Sequence, residues 1–136
     1  MDITLAKSDF DAIVAHARGA LPNEACGLIA GLVGNGGKSI EKVYLLDNID
    51  RSAEHFTIDP RQQLASVKDT RALGLTPLGN WHSHPSTPSR PSEEDIKLAR
   101  DPKASYLILS LAAEPPTLRS FHIENGAVTV ENLVII

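Results

Sequence analysis

The chain has 136 residues, 42% of them hydrophobic, and a formal net charge of −4 at pH 7. This length and composition predict one globular domain over residues 1–136 and carry no signal for the oligomeric state. The acidic balance disfavours a phosphate-backbone partner, so we expect no nucleic-acid binding. No apolar run reaches the ~18 residues of a membrane span and no signal-peptide layout opens the chain, so we expect a soluble, cytoplasmic protein without a membrane partner.

The first half of the chain alternates between helical and strand patterns. Apolar residues recur at helical spacing from Phe10 to Leu21. Ser8, which precedes this run, and Asp11, three residues later, have the spacing of a helix cap. A glycine-rich turn at 34–37 separates two strand-like runs, which predicts a hairpin. The predicted elements are a helix over about Asp9–Ala20, strands over Ala25–Val33 and Ser39–Leu46, and a helix from Asp59-Pro60 to about Leu73.

The second half predicts one short helix among strands. Its predicted elements are strands over Thr76–Ser83 and Ala104–Ala112, a helix over Ser92–Arg100 between them, and strands over Thr117–Ile123 and Ala127–Ile135. The Asn-Gly pair at 125–126 suits positive φ, so the last two strands should form a hairpin. The mixed order of elements predicts an α/β fold, with a central mixed β-sheet and helices packed on it.

Two histidines near the end of the Thr76–Ser83 strand carry the main functional signal. His82 and His84 are two residues apart, so both imidazoles leave the same face of the strand and can share one ion. A catalytic zinc ion takes three protein ligands and keeps a fourth position for water, so one more ligand is needed. Asp95 is the candidate, since the intervening loop contains three prolines that stiffen it.

Asp95 also has a purely structural interpretation. Ser92 and Asp95, ahead of Ile96, have the spacing of a capping box with Ser92 as the N-cap residue. The two roles are compatible, because a carboxylate in the first turn of a helix can project past the helix end toward the preceding strand. A His-x-His pair alone is common by chance, whereas its combination with the downstream serine and aspartate is specific and favours a metal site.

The remaining candidates are less informative on their own. Glu24 lies at the entrance of a predicted strand, where a solvated charge and a catalytic carboxylate are both compatible with the sequence. Cys26 lies in an apolar run and is interpreted as a small buried hydrophobe rather than a nucleophile or ligand. The histidines without nearby partner ligands are expected to be surface or structural residues: His16, His55 and His122.

Three segments of the chain resemble one known family. His-Ser-His-Pro at 82–85, followed by Ser92 and Asp95, looks like the motif of the JAMM (MPN-plus) metallopeptidases. The segment 22–31 resembles the family's Pro-x-Glu-x-Cys-Gly-Leu-x-x-Gly sequence, and 56–60 also looks like its family counterpart. The resemblance spans most of the chain and shows no departure at a motif position. It implies the fold that the family shares with cytidine deaminases, a single three-layer domain with a central mixed sheet flanked by helices.

The resemblance also implies a role for each motif residue. His82, His84 and Asp95 would bind one catalytic Zn²⁺, which lowers the pKa of a bound water from 15.7 to about 7. Glu24, at the position of the family's upstream glutamate, would act as general base on that water and then as general acid toward the departing amine. Ser92 would donate a hydrogen bond to the oxyanion, an interaction whose loss costs about 10²–10³ in rate.

Two functions of different classes follow from this resemblance. The first is a zinc-dependent peptidase or isopeptidase. Compact bacterial and archaeal members are associated with ubiquitin-like sulfur-carrier proteins, so the resemblance implies such a carrier, cut after its C-terminal Gly-Gly, as substrate. The alternative is a catalytically silent MPN-type interaction module, which would lack a motif residue, and none is lacking. A zinc nucleoside deaminase is excluded, because its Pro-Cys-x-x-Cys segment needs two cysteines and the chain has one.

Overall fold

The computed structural model describes residues 2–136, which form strands and helices in mixed order. These are β1 (Asp2–Leu5), α1 (Lys7–Ala20), β2 (Cys26–Gly34), β3 (Gly37–Leu46), α2 (Pro60–Ala72), β4 (Thr76–His84), α3 (Glu93–Leu98), β5 (Ser105–Ser110), β6 (Thr117–Glu124) and β7 (Ala127–Ile135). Every element predicted from the sequence is present. Between residues 2 and 136, no helix is both long enough and apolar enough to cross a membrane.

The N-terminal end differs from the prediction in two ways. Strand β1 was not predicted, and the helix cap predicted at Ser8 is wrong. Helix α1 begins at Lys7, so Ser8 lies inside the helix and not at its cap. The N-cap residue is Ala6, which has extended backbone angles and makes no side-chain cap hydrogen bond. A tertiary contact sets the start of α1. Lys7 N donates a hydrogen bond to Ile136 O at 2.9 Å, which fixes the first residue of the helix to the last residue of the chain.

The strands form one mixed sheet in the order β1-β3-β2-β4-β5-β6-β7. Strand β1 pairs in parallel with both β3 and β7, and this closes the sheet into a barrel. Strands β4 and β5 are also parallel, whereas the β2–β3, β2–β4, β5–β6 and β6–β7 pairs are antiparallel. The expected mixed sheet with packed helices is therefore confirmed. The expected three-layer arrangement differs from the structure, because β1 joins the two ends of the sheet.

Alternate residues of the central strands serve two different faces. Leu107 and Leu109 of β5 belong to the main hydrophobic core, which takes side chains from all seven strands and from α1. Ile108 points the other way and packs in a second cluster, against which Ile96 at the end of α3 lies. Strand β4 alternates in the same manner, with Trp81 in the main core. His82 and His84 therefore leave the opposite face from Trp81, on the side of α3.

Trp81 is fully buried and anchors the strand that carries the histidines. Its Nε1 donates a hydrogen bond to Tyr44 O at 3.1 Å. Gly27 makes room for this contact, because a Cβ at that position would lie 2.2 Å from Trp81 Nε1 and 1.8 Å from Tyr44 O. Ser83 is equally buried, and its Oγ accepts a hydrogen bond from Ala25 N at 2.8 Å. The residues that alternate with the histidines therefore pack in the interior and hold β4 in place.

Candidate metal centre

The end of β4 and the first turn of α3 bring together the three predicted metal ligands. His82 Nε2 and His84 Nε2 are 3.1 Å apart, and each lies 3.2 Å from Asp95 Oδ2. Both histidines are buried, with relative exposures of 3% and 4%. Two imidazole nitrogens and one carboxylate oxygen thus converge on one point, an arrangement that can hold a divalent metal ion.

The two imidazoles are oriented by different contacts. His84 Nδ1 lies 2.9 Å from Pro88 O, and because a carbonyl only accepts, the Nδ1 atom carries a proton. The Nε2 atom faces Asp95 and can offer its lone pair to a metal ion once it gives up its own proton. His82 instead stacks on the Phe56 ring, with 4.7 Å between the ring centroids and an interplanar angle of 25°. Within residues 2–136, the buried His82 Nδ1 has no hydrogen-bond partner.

Asp95 is held as an anion by its surroundings. Burial favours the neutral acid, but hydrogen bonds to His82 and His84 outweigh that effect and hold the pKa of Asp95 well below its usual range. The predicted capping box is also present, since Ser92 N donates to Asp95 Oδ2 at 2.9 Å and Asp95 N donates to Ser92 Oγ at 3.1 Å. Asp95 thus offers a charged oxygen to the histidines while it caps α3.

The environment of each histidine sets its protonation differently. Burial lowers the pKa of His82 and so favours the neutral ring, the form that binds metals. Burial also opposes the charged form of His84, but hydrogen bonds to Asp95 and Pro88 outweigh it and raise the pKa of this ring. A metal ion would have to displace the proton that His84 shares with Asp95.

Glu24 lies in the segment between α1 and β2 and is 3% exposed. Its backbone is fixed at both ends, because Glu24 N donates to Ser52 O at 2.7 Å and Asn48 Nδ2 donates to Glu24 O at 3.1 Å. Burial raises the pKa of its carboxyl to about 8, and the charges of His84 and Asp95 also act on it. Its Oε1 atom is buried without a hydrogen-bond partner in the described chain. A carboxyl that readily holds a proton therefore lies beside the three converging groups.

An apolar cavity of about 50 Å³ adjoins the convergence of His82 and Asp95. Its other walls include Phe56, Asn80, Leu98, Tyr106, Ile108 and Ile123. Glu24 lines a different, more polar groove between α1 and the loop after β3. His82 and Asp95 therefore border an apolar space, whereas Glu24 borders a polar surface.

Cys26 and the three remaining histidines have the structural or surface positions expected from the sequence. Cys26 is fully buried, and burial raises the pKa of its thiol to about 12, which leaves it unreactive. His16 Nε2 lies 2.9 Å from Leu46 O and its ring packs edge-on against Trp81. His55 pairs with Asp50 on the surface, and His122 lies 3.6 Å from Glu124.

Sequence reasoning missed the groups that orient the two histidines. The Pro88 carbonyl leaves no sequence signal, because every residue has one. Phe56 falls in a segment that resembles the family, yet its stacking on His82 needs the fold to bring the loop after β3 against β4. An aromatic residue in such a segment is the only hint that the sequence contains.

The family model for prokaryotic homologues of the JAB domain matches residues 6–124. The chain belongs to this family. A CysO-cysteine peptidase of Mycobacterium tuberculosis is 36% identical over 128 residues, which cover 93% of this chain and 86% of that protein. A probable TtuB-protein conjugate cleaving protease of Thermus thermophilus is 37% identical over 87 residues, covering 63% of this chain and 55% of that protein.

A solved structure is similar to this chain over almost its whole length. The solution structure of a protein from Desulfitobacterium hafniense has a TM-score of 0.90 and 51% sequence identity, and the match covers 98% of this chain and 92% of that protein. The match of the family model confirms the resemblance to JAMM metallopeptidases at the level of the family. Two of the relatives are named a peptidase and a protease, which supports hydrolase activity within it.

Proposed function

We propose that this protein is a zinc-dependent peptidase or isopeptidase that hydrolyses the amide bond after the C-terminal Gly-Gly of a ubiquitin-like sulfur-carrier protein. The observation that carries the proposal is the convergence of His82, His84 and Asp95 beside the buried carboxyl of Glu24. The names of the relatives support the substrate class, since one acts on a CysO–cysteine compound and another on TtuB–protein conjugates.

Zinc fits the donor set. Zn²⁺ prefers nitrogen and oxygen ligands in a tetrahedral array and, in catalytic sites, takes three from the protein. Two imidazole nitrogens 3.1 Å apart cannot bond each other when both offer lone pairs, and a shared cation satisfies them together with the Asp95 carboxylate. Because Pro88 O holds a proton on His84 Nδ1, Nε2 is the ring nitrogen that would bind such an ion after losing its own proton. His82, His84 and Asp95 are therefore the residues that would hold zinc.

When bound by these residues, zinc would supply an acidified water and a polarised substrate carbonyl. Glu24 would take the proton of the attacking water at its carboxylate and return it to the departing amine nitrogen. A nearby cation favours the ionised carboxylate, which offsets the burial that raises its pKa. Its partner-free Oε1 supports this role, because no protein donor competes with the water for that oxygen.

Ser92 would assist at the carbonyl oxygen of the substrate. Its Oγ atom already accepts a hydrogen bond from Asp95 N, and in the part of the chain that the structure describes its hydroxyl hydrogen has no acceptor. Since that hydrogen is free and Ser92 is exposed beside Asp95, it can donate to an oxygen that gains negative charge during hydrolysis. Ser92 would thus serve the reaction while it caps α3.

The burial of the centre favours a substrate with little bulk at the cleaved bond. His82 and His84 are almost inaccessible, so a peptide carbonyl must approach closely to reach the space between them. Glycine has no side chain to obstruct such an approach, and a Gly-Gly tail is flexible enough to extend into a narrow site. This argument agrees with the carrier substrate that the family resemblance implies.

The proposal is tested by intact-mass spectrometry on a panel of ubiquitin-like sulfur carriers extended beyond Gly-Gly. Zinc-loaded wild type should cut directly after Gly-Gly, whereas Glu24→Gln and chelator-treated protein should leave every carrier intact. If the zinc-loaded wild type cuts none of them, the carrier substrate is wrong. Tight carrier binding without cleavage would instead support the alternative function, a catalytically silent interaction module.

A further inference from the structure

The loop between β4 and α3 is fastened to β5 on both sides of Pro88. Ser110 Oγ donates a hydrogen bond to Thr87 O at 2.7 Å, and Ser89 Oγ donates to Ile108 O at 2.6 Å. Ser89 is 6% exposed and Ser110 is 5% exposed, so water competes little for either bond. The residues before and after Pro88 are therefore tied to one strand, and the peptide between them has little freedom to rotate.

The Pro88 carbonyl between these two bonds is the one that orients His84. Pro88 O lies 2.9 Å from His84 Nδ1 and also accepts a hydrogen bond from Arg90 N at 2.9 Å. The backbone of the histidine is attached to the same region, because Leu111 N, just after β5, donates to His84 O at 3.1 Å. The backbone of His84 and the Pro88 carbonyl are therefore both held in place by hydrogen bonds to β5 and the residue that follows it.

We propose that Ser89 and Ser110 are positioning residues of the metal centre, which act through Pro88 O to fix the ring orientation of His84 and the hydrogen bond of its Nδ1 atom. The inference rests on the proposed function in taking His84 as a metal ligand. It extends the site to two serines outside the motif residues. Loss of the partner that orients a metal-binding histidine typically weakens metal binding about 10–100-fold.

A purely structural role for these serines makes a different prediction. A buried hydroxyl that only stabilises the loop would lower the free energy of unfolding when removed, without changing the affinity for metal. Positioning requires that the affinity fall and that the His84 Nδ1 proton, held by Pro88 O, exchange faster with solvent. Stability, affinity and proton exchange must therefore be measured on the same variants.

The test uses Ser89→Ala, Ser110→Ala and the double variant in the full chain. Zinc affinity is measured by competition with a chromophoric chelator, and we expect the double variant to bind about 10–100-fold more weakly than wild type. The matched control is Ser66→Ala, which removes a buried hydroxyl that donates to the main-chain Gln62 O at 2.8 Å within α2. The control should bind zinc as tightly as the wild type.

The second readout is the exchange of the His84 Nδ1 proton with solvent, followed in the ¹H–¹⁵N spectrum of the metal-free protein. We expect slow exchange in wild type and in Ser66→Ala, where Pro88 O holds this proton, and faster exchange in the double variant. Unchanged affinity and unchanged exchange in folded serine variants would overturn the proposal. If the double variant does not fold, Ser110→Ala alone decides. A wild type that binds no zinc would contradict the proposed function, while exchange of the His84 Nδ1 proton would still decide the role of the serines.

Discussion

Asp95 Oδ2 accepts a hydrogen bond from Ser92 N at 2.9 Å, and the same oxygen lies 3.2 Å from each of the two histidine nitrogens. The atom that caps α3 is therefore also the proposed ligand atom. The start of the helix and the proposed metal centre therefore depend on the same atom, so a change at Ser92 can affect both helix stability and catalysis.

Two substitutions at Ser92 separate its roles. Ser92→Ala removes both the cap and the hydroxyl donor, so it should lower the free energy of unfolding by about 1 kcal/mol. Ser92→Gly removes the hydroxyl but retains a favourable N-cap residue, so it should cost only about a few tenths of a kcal/mol. Both should lower kcat by about 10²–10³ if the hydroxyl stabilises the oxyanion.

Thermal unfolding and steady-state kinetics on the zinc-loaded proteins provide these two measurements. If the glycine variant keeps the wild-type kcat, Ser92 serves only as a helix cap.

Glu24→Gln should remove activity and leave zinc binding intact. The amide is nearly isosteric with the acid but cannot take a proton from water, and general acid–base groups typically contribute about 10²–10⁴ in rate. Metal content by atomic emission should match that of the wild type, because Glu24 lies outside the converging ligand group. Glu54→Gln, an exposed change in the loop after β3, is the matched control and should remain active. A fully active, zinc-loaded Glu24→Gln enzyme would contradict the assigned role.

The buried Glu24 carboxyl should also make the metal-free protein sensitive to pH. Burial raises its pKa from 4.5 to about 8, so the folded state binds this proton more tightly than the unfolded state. The resulting stabilisation is fully present below pH 4.5 and is lost as the pH rises to about 8. At about 1.4 kcal/mol per pKa unit, the free energy of unfolding should fall by about a few kcal/mol over this pH range.

This dependence is measured as the difference between wild type and Glu24→Gln, both freed of metal by chelation. The variant has no ionisable group at this position, so denaturant unfolding should show its stability rising relative to wild type from pH 4.5 to pH 8. A difference that stays constant with pH would mean that Glu24 is solvated in the metal-free protein.

The three proposed ligands could be predicted from the sequence because their signal is local. His82 and His84 share a face through the two-residue period of a strand, and Asp95 follows in a capping box that the structure confirms. The start of α1 could not be predicted, since it depends on a hydrogen bond from Lys7 to Ile136 at the opposite end of the chain. Closure of the sheet could not be predicted either, because β1 has only four residues, too few for their alternation to indicate a strand.

Phe56 was only partly predictable from the sequence, and substitutions at this position test how the His82 ring is oriented. The His82 ring has no hydrogen-bond partner on Nδ1 within residues 2–136, so stacking on Phe56 is the contact from outside the proposed ligand group that orients it. Phe56→Leu keeps an apolar side chain but loses the flat ring, which in aromatic pairs contributes about 0.5–1.5 kcal/mol beyond area burial. This loss should weaken zinc binding by up to about tenfold.

Phe56→Tyr retains the stacked ring and is the matched control, with the wild-type zinc affinity expected in a chelator competition. The pair separates stacking from simple burial, because only the leucine variant loses the planar contact with His82. Equal affinities in all three proteins would mean that stacking does not orient His82. In that case the orientation would come from Asp95 and from the backbone of β4, which Trp81 anchors through its bond to Tyr44 O.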